Sequence, residues 1–394
     1  MRDEATARIV ITGMGVVSPL GRTPDALWRR LLHGDSAVCD WPDLLAQGYR
    51  GTRAARIEDF DSEAPDPLRR GRALALAAAG QAVAHSGAPL GAAAAVCVGS
   101  TLGESAAFEA VAEGRDAHGE IALADYGVAS FTDALHERHA PDGPRQSLAT
   151  ACAAGNYAVG AALDLLRAGR ATQALAGGVE PFSRLSMVGF SRSRAMAQRH
   201  CQPFDAGRTG MLLGEGAAMF VLELEADALA RGAVPLAEVV SLGLSCDAWH
   251  PTAPLADGSG MRRAMQSALD QGGVAAAEVD WVNAHGSGTR ASDAAEARAL
   301  RELFADRMPA VSGSKGALGH ALGASSALEL AICVMGLRSQ TVPPTAGHAA
   351  PDPECGIACT RAPEARPLTW VLNNAFAFGG LNSALLLRRW EPAP

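Results

Sequence analysis

Two turns of small residues, each running into a long apolar helix, restrict this chain more than any other feature. The first is Ala149-Thr150-Ala151-Cys152-Ala153-Ala154-Gly155, which reads as a short buried strand turning straight into a helix. Tyr157, Val159, Ala162, Leu165 and Leu166 follow at near-helical spacing, and Gly169 offers a C-terminal stop. The second is Ser314-Lys315-Gly316-Ala317-Leu318-Gly319-His320, which continues through Ala321-Leu322-Gly323-Ala324 into an apolar helix reaching about Leu337. One such turn in each half predicts a duplicated architecture. Ile9–Val17 and Ala237–Leu244 both read as starting strands, and Arg231-Gly232-Ala233 marks the boundary. At 394 residues and 48% hydrophobic content, the chain is long enough to bury two similar α/β halves, 1–232 and 233–394.

The turns also carry chemistry. A thiol at a helix N-terminus meets free backbone N–H groups and the positive end of the helix dipole, which predicts a lowered pKa and a reactive thiolate at Cys152. The plainer reading of a cysteine among alanines is a small buried apolar residue. Two histidines weigh against it. Val282-Asn283-Ala284-His285-Gly286-Ser287-Gly288-Thr289 places His285 at a strand end beside glycines that let backbone approach a ligand. His320 shares one turn with Lys315 and a helix start. Either histidine alone also reads as a hydrogen-bonded structural residue; the three segments together point to a catalytic constellation.

These motifs resemble those of the elongating β-ketoacyl-acyl-carrier-protein synthases of the KAS I/II type and their polyketide relatives. The resemblance runs in order through nearly the whole chain. It begins at Ile9-Val10-Ile11-Thr12-Gly13-Met14-Gly15-Val16-Val17-Ser18-Pro19-Leu20-Gly21 and passes through Thr150-Ala151-Cys152, Ala176-Gly177-Gly178-Val179-Glu180, Pro203-Phe204-Asp205 and Leu213-Gly214-Glu215-Gly216-Ala217. Both histidine motifs follow, then the glycine-rich Asn374-Ala375-Phe376-Ala377-Phe378-Gly379-Gly380-Leu381-Asn382. The resemblance implies a thiolase fold, two similar halves in a five-layer α-β-α-β-α arrangement.

It also implies roles for matched residues. Cys152 would take an acyl group from a carrier thioester, with the backbone N–H groups of Cys152 and Phe378 as oxyanion hole. His285 and His320 would hold the malonyl thioester carbonyl. Loss of carbon dioxide would then give an enolate that attacks the acyl group, with no strong base needed. Lys315 would act electrostatically, held by Glu329. Ser287 and Thr289 would contact the phosphopantetheine arm, which the acyl carrier protein supplies; no tightly bound cofactor is implied. Met187, Val188, Phe190 and Ala377 would line the acyl pocket. Arg69, Arg70, Arg72, Arg192 and Arg194 are candidate carrier-docking residues, or simply solvated arginines.

Three departures stand out. The usual Gly-Phe-Gly-Gly gate reads Ala377-Phe378-Gly379-Gly380, so a methyl occupies a position usually free of Cβ and is expected to restrict any swing of Phe378. The stretch 103–147, which in the family contributes to the dimer interface and pocket floor, is shorter than usual and carries Glu104, Glu109, Glu113, Asp116 and Glu120. Thr209 stands where an aspartate is usual.

Other function classes find little support. A formal net charge of -8 argues against general nucleic-acid binding, although an acidic carrier still needs a local basic landing site. The eight cysteines show no zinc spacing: Cys355 and Cys359 have no matching second pair, so no metal is expected. Arg2, Asp3 and Glu4 precede any apolar run, and Gln81, His85 and Pro89 interrupt the alanine-rich stretch 73–98, so neither a signal peptide nor a membrane span is expected and the cytoplasm is the default. A thiolase would place a second cysteine near the C-terminal glycine loop, and Phe376 to Ser383 holds none. An acyltransferase moving chains between carriers, or one subunit of a ketosynthase heterodimer, stays open beside a homodimeric condensing enzyme.

Overall fold

The strand β1 (Ile9–Val17) is buried along all nine residues, as a strand covered on both faces must be. It belongs to the first of two five-strand sets. The computed structural model describes residues 7–49, 51–60, 69–114, 122, 125–140 and 142–392; Arg2, Asp3, Glu4, Asp116 and Glu120 lie outside them. The first set adds β2 (Ala95–Gly99), β3 (Arg145–Leu148), β4 (Gln173–Glu180) and β5 (Gly216–Leu224). The second comprises β6 (Ala237–Cys246), β7 (Trp281–Asn283), β8 (Ala310–Ser312), β9 (Trp370–Phe376) and β10 (Leu381–Arg388). Their spatial order is β8-β7-β9-β10-β6-β1-β5-β4-β2-β3.

Read outward from the β1–β6 junction, both sets run first, fifth, fourth, second, third strand. The sense of pairing repeats as well: the second, third and fourth strands are parallel, and the fifth is antiparallel to the first and fourth in each set. The duplication expected from two starting strands is thus a repeated topology. The slight sequence likeness between halves reflects the physics, since a layered core asks only for apolar residues of suitable volume.

In each set the third strand leads into a central helix: α2 (Ala154–Arg167) after β3 and α7 (Ser325–Ser339) after β8. The outer faces are covered by α1 (Arg70–His85) on one set and by α4 (Ser259–Gly272) with α5 (Arg290–Leu303) on the other. The two central helices lie between the sets and touch each other, which gives five layers. Their approach is close. A Cβ on Gly155 would stand 2.7 Å from Ala327 N and 2.8 Å from Ser326 Oγ. Ser325 to Leu337 are buried without a break, so α7 has no polar face and is a core helix. The only segment among the described residues long and apolar enough to cross a membrane, Leu322–Ser339, is this one, packed inside the protein.

One strand departs from expectation. The segment ahead of Cys152 was expected to be buried, yet Arg145, Gln146 and Ser147 of β3 are exposed. Among the described residues β3 pairs only with β2 and forms an edge of the sheet, which leaves these side chains open to solvent.

A buried amide network joins the halves beneath the central helices. Asn156 Nδ2 donates to Asn373 O (3.1 Å) and Ser383 Oγ (3.2 Å), Asn373 Nδ2 donates to Asn156 Oδ1 (3.1 Å), and Asn283 Nδ2 donates to Asn373 Oδ1 (2.9 Å). Such a network fixes the register of α2 against β7, β9 and β10, because a slip would leave amides unpaired in the core.

Candidate active site

Cys152 lies in a 3-10 turn, Ala151–Ala153, that opens α2. Ala151 is held at φ 48°, the left-handed region, so the backbone makes a sharp, strained elbow that presents the thiol. The thiol is buried, 6% exposed, at one wall of a cavity of about 200 Å³. His285, His320, Phe378, Ser287 and Thr289 line the same cavity. Residues far apart in the sequence therefore converge, as the motif reading expected.

The expected thiolate does not. Burial pushes the Cys152 thiol up to about 11, outweighing the Lys315 charge and the backbone N–H groups of Phe378 and Cys152, all of which favour the anion; Glu180 adds to the rise. The helix terminus supplies donors, but depth decides the sign. The same contacts establish a second point. Both backbone N–H groups proposed as oxyanion donors face the sulfur.

His285 follows β7, and its backbone is clamped: His285 N and Gly286 N each donate to the Glu296 carboxylate at 2.8 Å. His320 stands with its ring centroid 5.4 Å from that of His285. Both imidazoles are held well below the usual histidine range, first by burial and then by the Lys315 charge, so both are neutral at physiological pH. His320 Nδ1 lies 2.9 Å from Ser325 Oγ. A hydroxyl donating there leaves Nε2–H as the ring's donor. His285 Nδ1 has no protein partner among the described residues.

Lys315, in α6 (Lys315–Leu318), does not point into open cavity. Its Nζ donates to Glu329 Oε1 at 2.6 Å and to His285 O at 2.5 Å, and both side chains are 1% exposed. Burial raises the Glu329 carboxyl, against the pull of Lys315 and Ser314. The pair works from behind the histidines.

Ser287 Oγ and Thr289 Oγ1 sit 2.9 Å apart, with Asp293 accepting from Ser287 at 3.3 Å. Both residues line the cavity that holds the thiol. Phe190, from α3 (Arg184–Arg192), packs its ring 5.5 Å from Phe378, and Met187 and Ala377 join the apolar cluster around Cys152. Val188 does not, being exposed on the solvent side of α3.

In the resting gate the unusual backbone lies beyond Ala377. Ala377 has φ -105° and ψ 161°, ordinary extended backbone, so its methyl is accommodated without strain. The strained positions are Gly379 at φ 80° and Gly380 at φ 70°, and a Cβ on Gly380 would stand 2.4 Å from Asp247 Cβ. Asp247, missed in the sequence, clasps this loop: Asp247 N donates to Gly380 O at 2.9 Å, and Asn382 Nδ2 donates to Asp247 Oδ1 at 2.8 Å. Gly380→Ala is expected to slow acyl loading by about tenfold or more, and Ala377→Gly to change it by less than about twofold. Single-turnover acyl transfer measured on both variants checks this.

The arginine candidates divide. Arg70 is buried and holds Glu215 through Nε at 2.8 Å and Nη2 at 2.7 Å, so it is structural and cannot meet a carrier. Arg69 reaches Asp125 at 3.5 Å, and Arg72 is half-buried. Arg192 and Arg194 are exposed on either side of Ser193, which lines the cavity. Nothing in the structure explains the threonine at 209, which is exposed.

Comparison with known proteins fits this geometry. Residues 6–228 match the beta-ketoacyl synthase N-terminal domain, and residues 236–349 match the beta-ketoacyl synthase C-terminal domain. The chain belongs to the β-ketoacyl synthase family. The synthase is 36% identical over 420 residues to 3-oxoacyl-[acyl-carrier-protein] synthase 2 of Rhizobium meliloti (strain 1021), covering 97% of this chain and 99% of that relative. It is 34% identical over 404 residues to nodulation protein E of the same organism, with the same coverage. The ishigamide ketosynthase/chain length factor structure contains a chain that matches it with a TM-score of 0.91 at 34% identity, over 98% of this chain and 100% of that one. The architecture is the thiolase fold, and the synthase is a condensing acyltransferase.

Proposed function

We propose that this synthase carries out decarboxylative Claisen condensation of a Cys152-bound acyl chain with malonyl-acyl carrier protein, giving a β-ketoacyl-acyl carrier protein. The observation that carries the reading is the convergence on one cavity of a thiol faced by two backbone N–H groups and two neutral histidines. Because the thiol is not ionised at rest, its proton must leave as sulfur attacks the carrier thioester, and a neutral imidazole in the same cavity can take it. The tetrahedral oxyanion collapses toward the acyl-enzyme, and the departing carrier thiolate takes the proton.

In the second half-reaction His285 and His320 donate to the malonyl thioester carbonyl. Breaking the bond to carbon dioxide places its electron pair in an enolate stabilised by those donors. The enolate carbon attacks the acyl carbonyl, whose oxygen rests on the N–H groups of Cys152 and Phe378, and the thiolate leaves. Neutral imidazoles suit this task, since each gives a hydrogen bond without stabilising the starting malonate as a full cation would. Lys315, held by Glu329, positions His285 through its carbonyl and adds to the burial that keeps the ring neutral. Ser287 and Thr289 receive the phosphopantetheine arm, and Arg192 and Arg194, with Arg72, receive the acidic carrier. Met187, Phe190 and Ala377 shape the acyl pocket. The two similar halves are taken as units 1–232 and 233–394, working in the cytoplasm.

The exposed edge β3, with exposed Phe108, Val111, Leu185 and Val188, favours a second ketosynthase-like chain as partner, either a copy or a chain length factor. Because Cys152 is built into an assembled site, this chain is the loading subunit of either pair. The test is intact-mass measurement of wild type and Cys152→Ala with a panel of acyl-carrier thioesters, followed by malonyl carrier protein and product detection. Wild type is expected to gain one acyl group and release a β-ketoacyl product, and Cys152→Ala to do neither. Loading without condensation for every extender would favour acyl transfer between carriers.

A further inference from the structure

Glu180, at the end of β4, is a buried carboxylate that the condensation chemistry leaves without a task. It is 1% exposed, and three backbone N–H groups converge on it: Thr101 at 2.6 Å and Gly323 at 3.0 Å on Oε2, and Leu102 at 2.9 Å on Oε1. Two of these donors come from the loop after β2 in the first half. The third comes from the second half, in the turn Leu322–Ala324 that follows His320. Leu102 and Leu322 both pack in the apolar cluster around Cys152.

The two backbones touch where Glu180 joins them. A Cβ on Gly323 would stand 2.5 Å from Thr101 N and 2.7 Å from Ser100 C, and Leu322 is held at φ 43° to bring the turn in. Buried N–H groups pressed this close need an acceptor. A carboxylate offers two acceptor oxygens, whereas an amide would turn an NH2 toward one set of donors.

We propose that Glu180 is a positioning residue for condensation: its carboxylate clasps the loop beside Cys152 to the turn behind His320, and so sets the nucleophile against the extender-binding histidine across the two halves. The proposal rests on the roles given above to Cys152 and His320. It carries a second consequence. The Glu180 charge opposes a thiolate at Cys152, while Lys315 and the N–H groups of Phe378 and Cys152 favour one, and both neighbouring histidines are neutral. Three donors hold Glu180 toward its charged form, although burial pushes it up to about 7.

Removing the charge therefore separates two readouts that general loosening would move together. Glu180→Gln is expected to raise the rate of Cys152 alkylation by iodoacetamide at about pH 8, and to lower condensation by about ten- to a hundredfold. Gly323→Ala, which forces the same joint apart and keeps the charge, is expected to lower condensation with alkylation unchanged. Thermal melting verifies that each variant is folded, and Gly323→Ala decides the matter where Glu180→Gln fails to fold. Wild-type condensation in either folded variant, or a parallel fall of alkylation and condensation in Glu180→Gln, overturns the proposal. Wild-type enzyme that takes no acyl group on Cys152 overturns the condensing reading instead.

Discussion

His320→Ala is expected to load Cys152 at close to the wild-type rate and to lose condensation by on the order of a hundred- to a thousandfold. In the proposed mechanism loading draws its oxyanion donors from the Cys152 and Phe378 backbone, whose N–H groups face the sulfur and which the substitution leaves in place. Under the proposed mechanism condensation needs a donor at the enolate oxygen, and a hydroxyl donated by Ser325 to Nδ1 leaves Nε2–H for that task. The loop itself is held by backbone bonds independent of the ring: His320 N donates to Leu212 O at 2.7 Å and Gly214 N donates to His320 O at 3.0 Å. Intact mass reads loading, and product release reads condensation. Loss of loading as well would make His320 the base that takes the thiol proton, and would leave His285 as the principal enolate donor.

That split follows from features unequally legible in the sequence. The two small-residue turns, the two starting strands and both histidine motifs stood out because each is a local pattern of size, periodicity or glycine placement. What the sequence hid were long-range consequences. Arg70 looks like part of a solvated basic cluster at a helix start, yet its partner Glu215 lies 145 positions away and turns it into a buried anchor. Val188 follows Met187 in sequence, but neighbours on a helix point about 100° apart, so one enters the apolar cluster and the other faces water. β3 resembles a core strand and is an edge of the sheet, because strand order is settled by long-range pairing that no local pattern records.

Cys152 makes the same point in electrostatics. A helix N-terminus can be read from residue order, and it favours the thiolate as expected. Burial depends on how two halves close around the turn, and it outweighs the dipole. The bonding of Glu180, Glu296 and Asp247 was equally hidden. Each is a carboxylate whose backbone donors include residues distant in the chain or outside its own element, a pattern without local periodicity. Asn156, Asn283 and Asn373 likewise read as isolated polar residues until the fold brings them together.

Lys315→Met is expected to be the most destabilising of the site substitutions, by about 3–5 kcal/mol, because it leaves Glu329 as an uncompensated carboxylate inside an otherwise apolar helix. Ser314 remains as a single hydroxyl partner at 3.1 Å, too little to replace a cation. The carboxyl, already raised by burial, then rises further and takes up a proton. Its sign fixes the pH dependence. The folded variant keeps a proton that the unfolded chain releases above the ordinary carboxylate range, so the variant loses stability as pH rises, more steeply than wild type. Chemical denaturation across about pH 5 to 8 reads this directly. Adding Glu329→Gln to Lys315→Met removes the buried charge and is expected to recover most of the lost stability and to flatten the pH dependence, while condensation stays low. Lys315 also donates to His285 O and adds its charge to the burial that keeps both histidines neutral, and the amide at 329 restores neither contribution. Recovery of stability without recovery of condensation would separate the two tasks of one lysine, pairing a buried carboxylate and preparing the histidines that receive the extender.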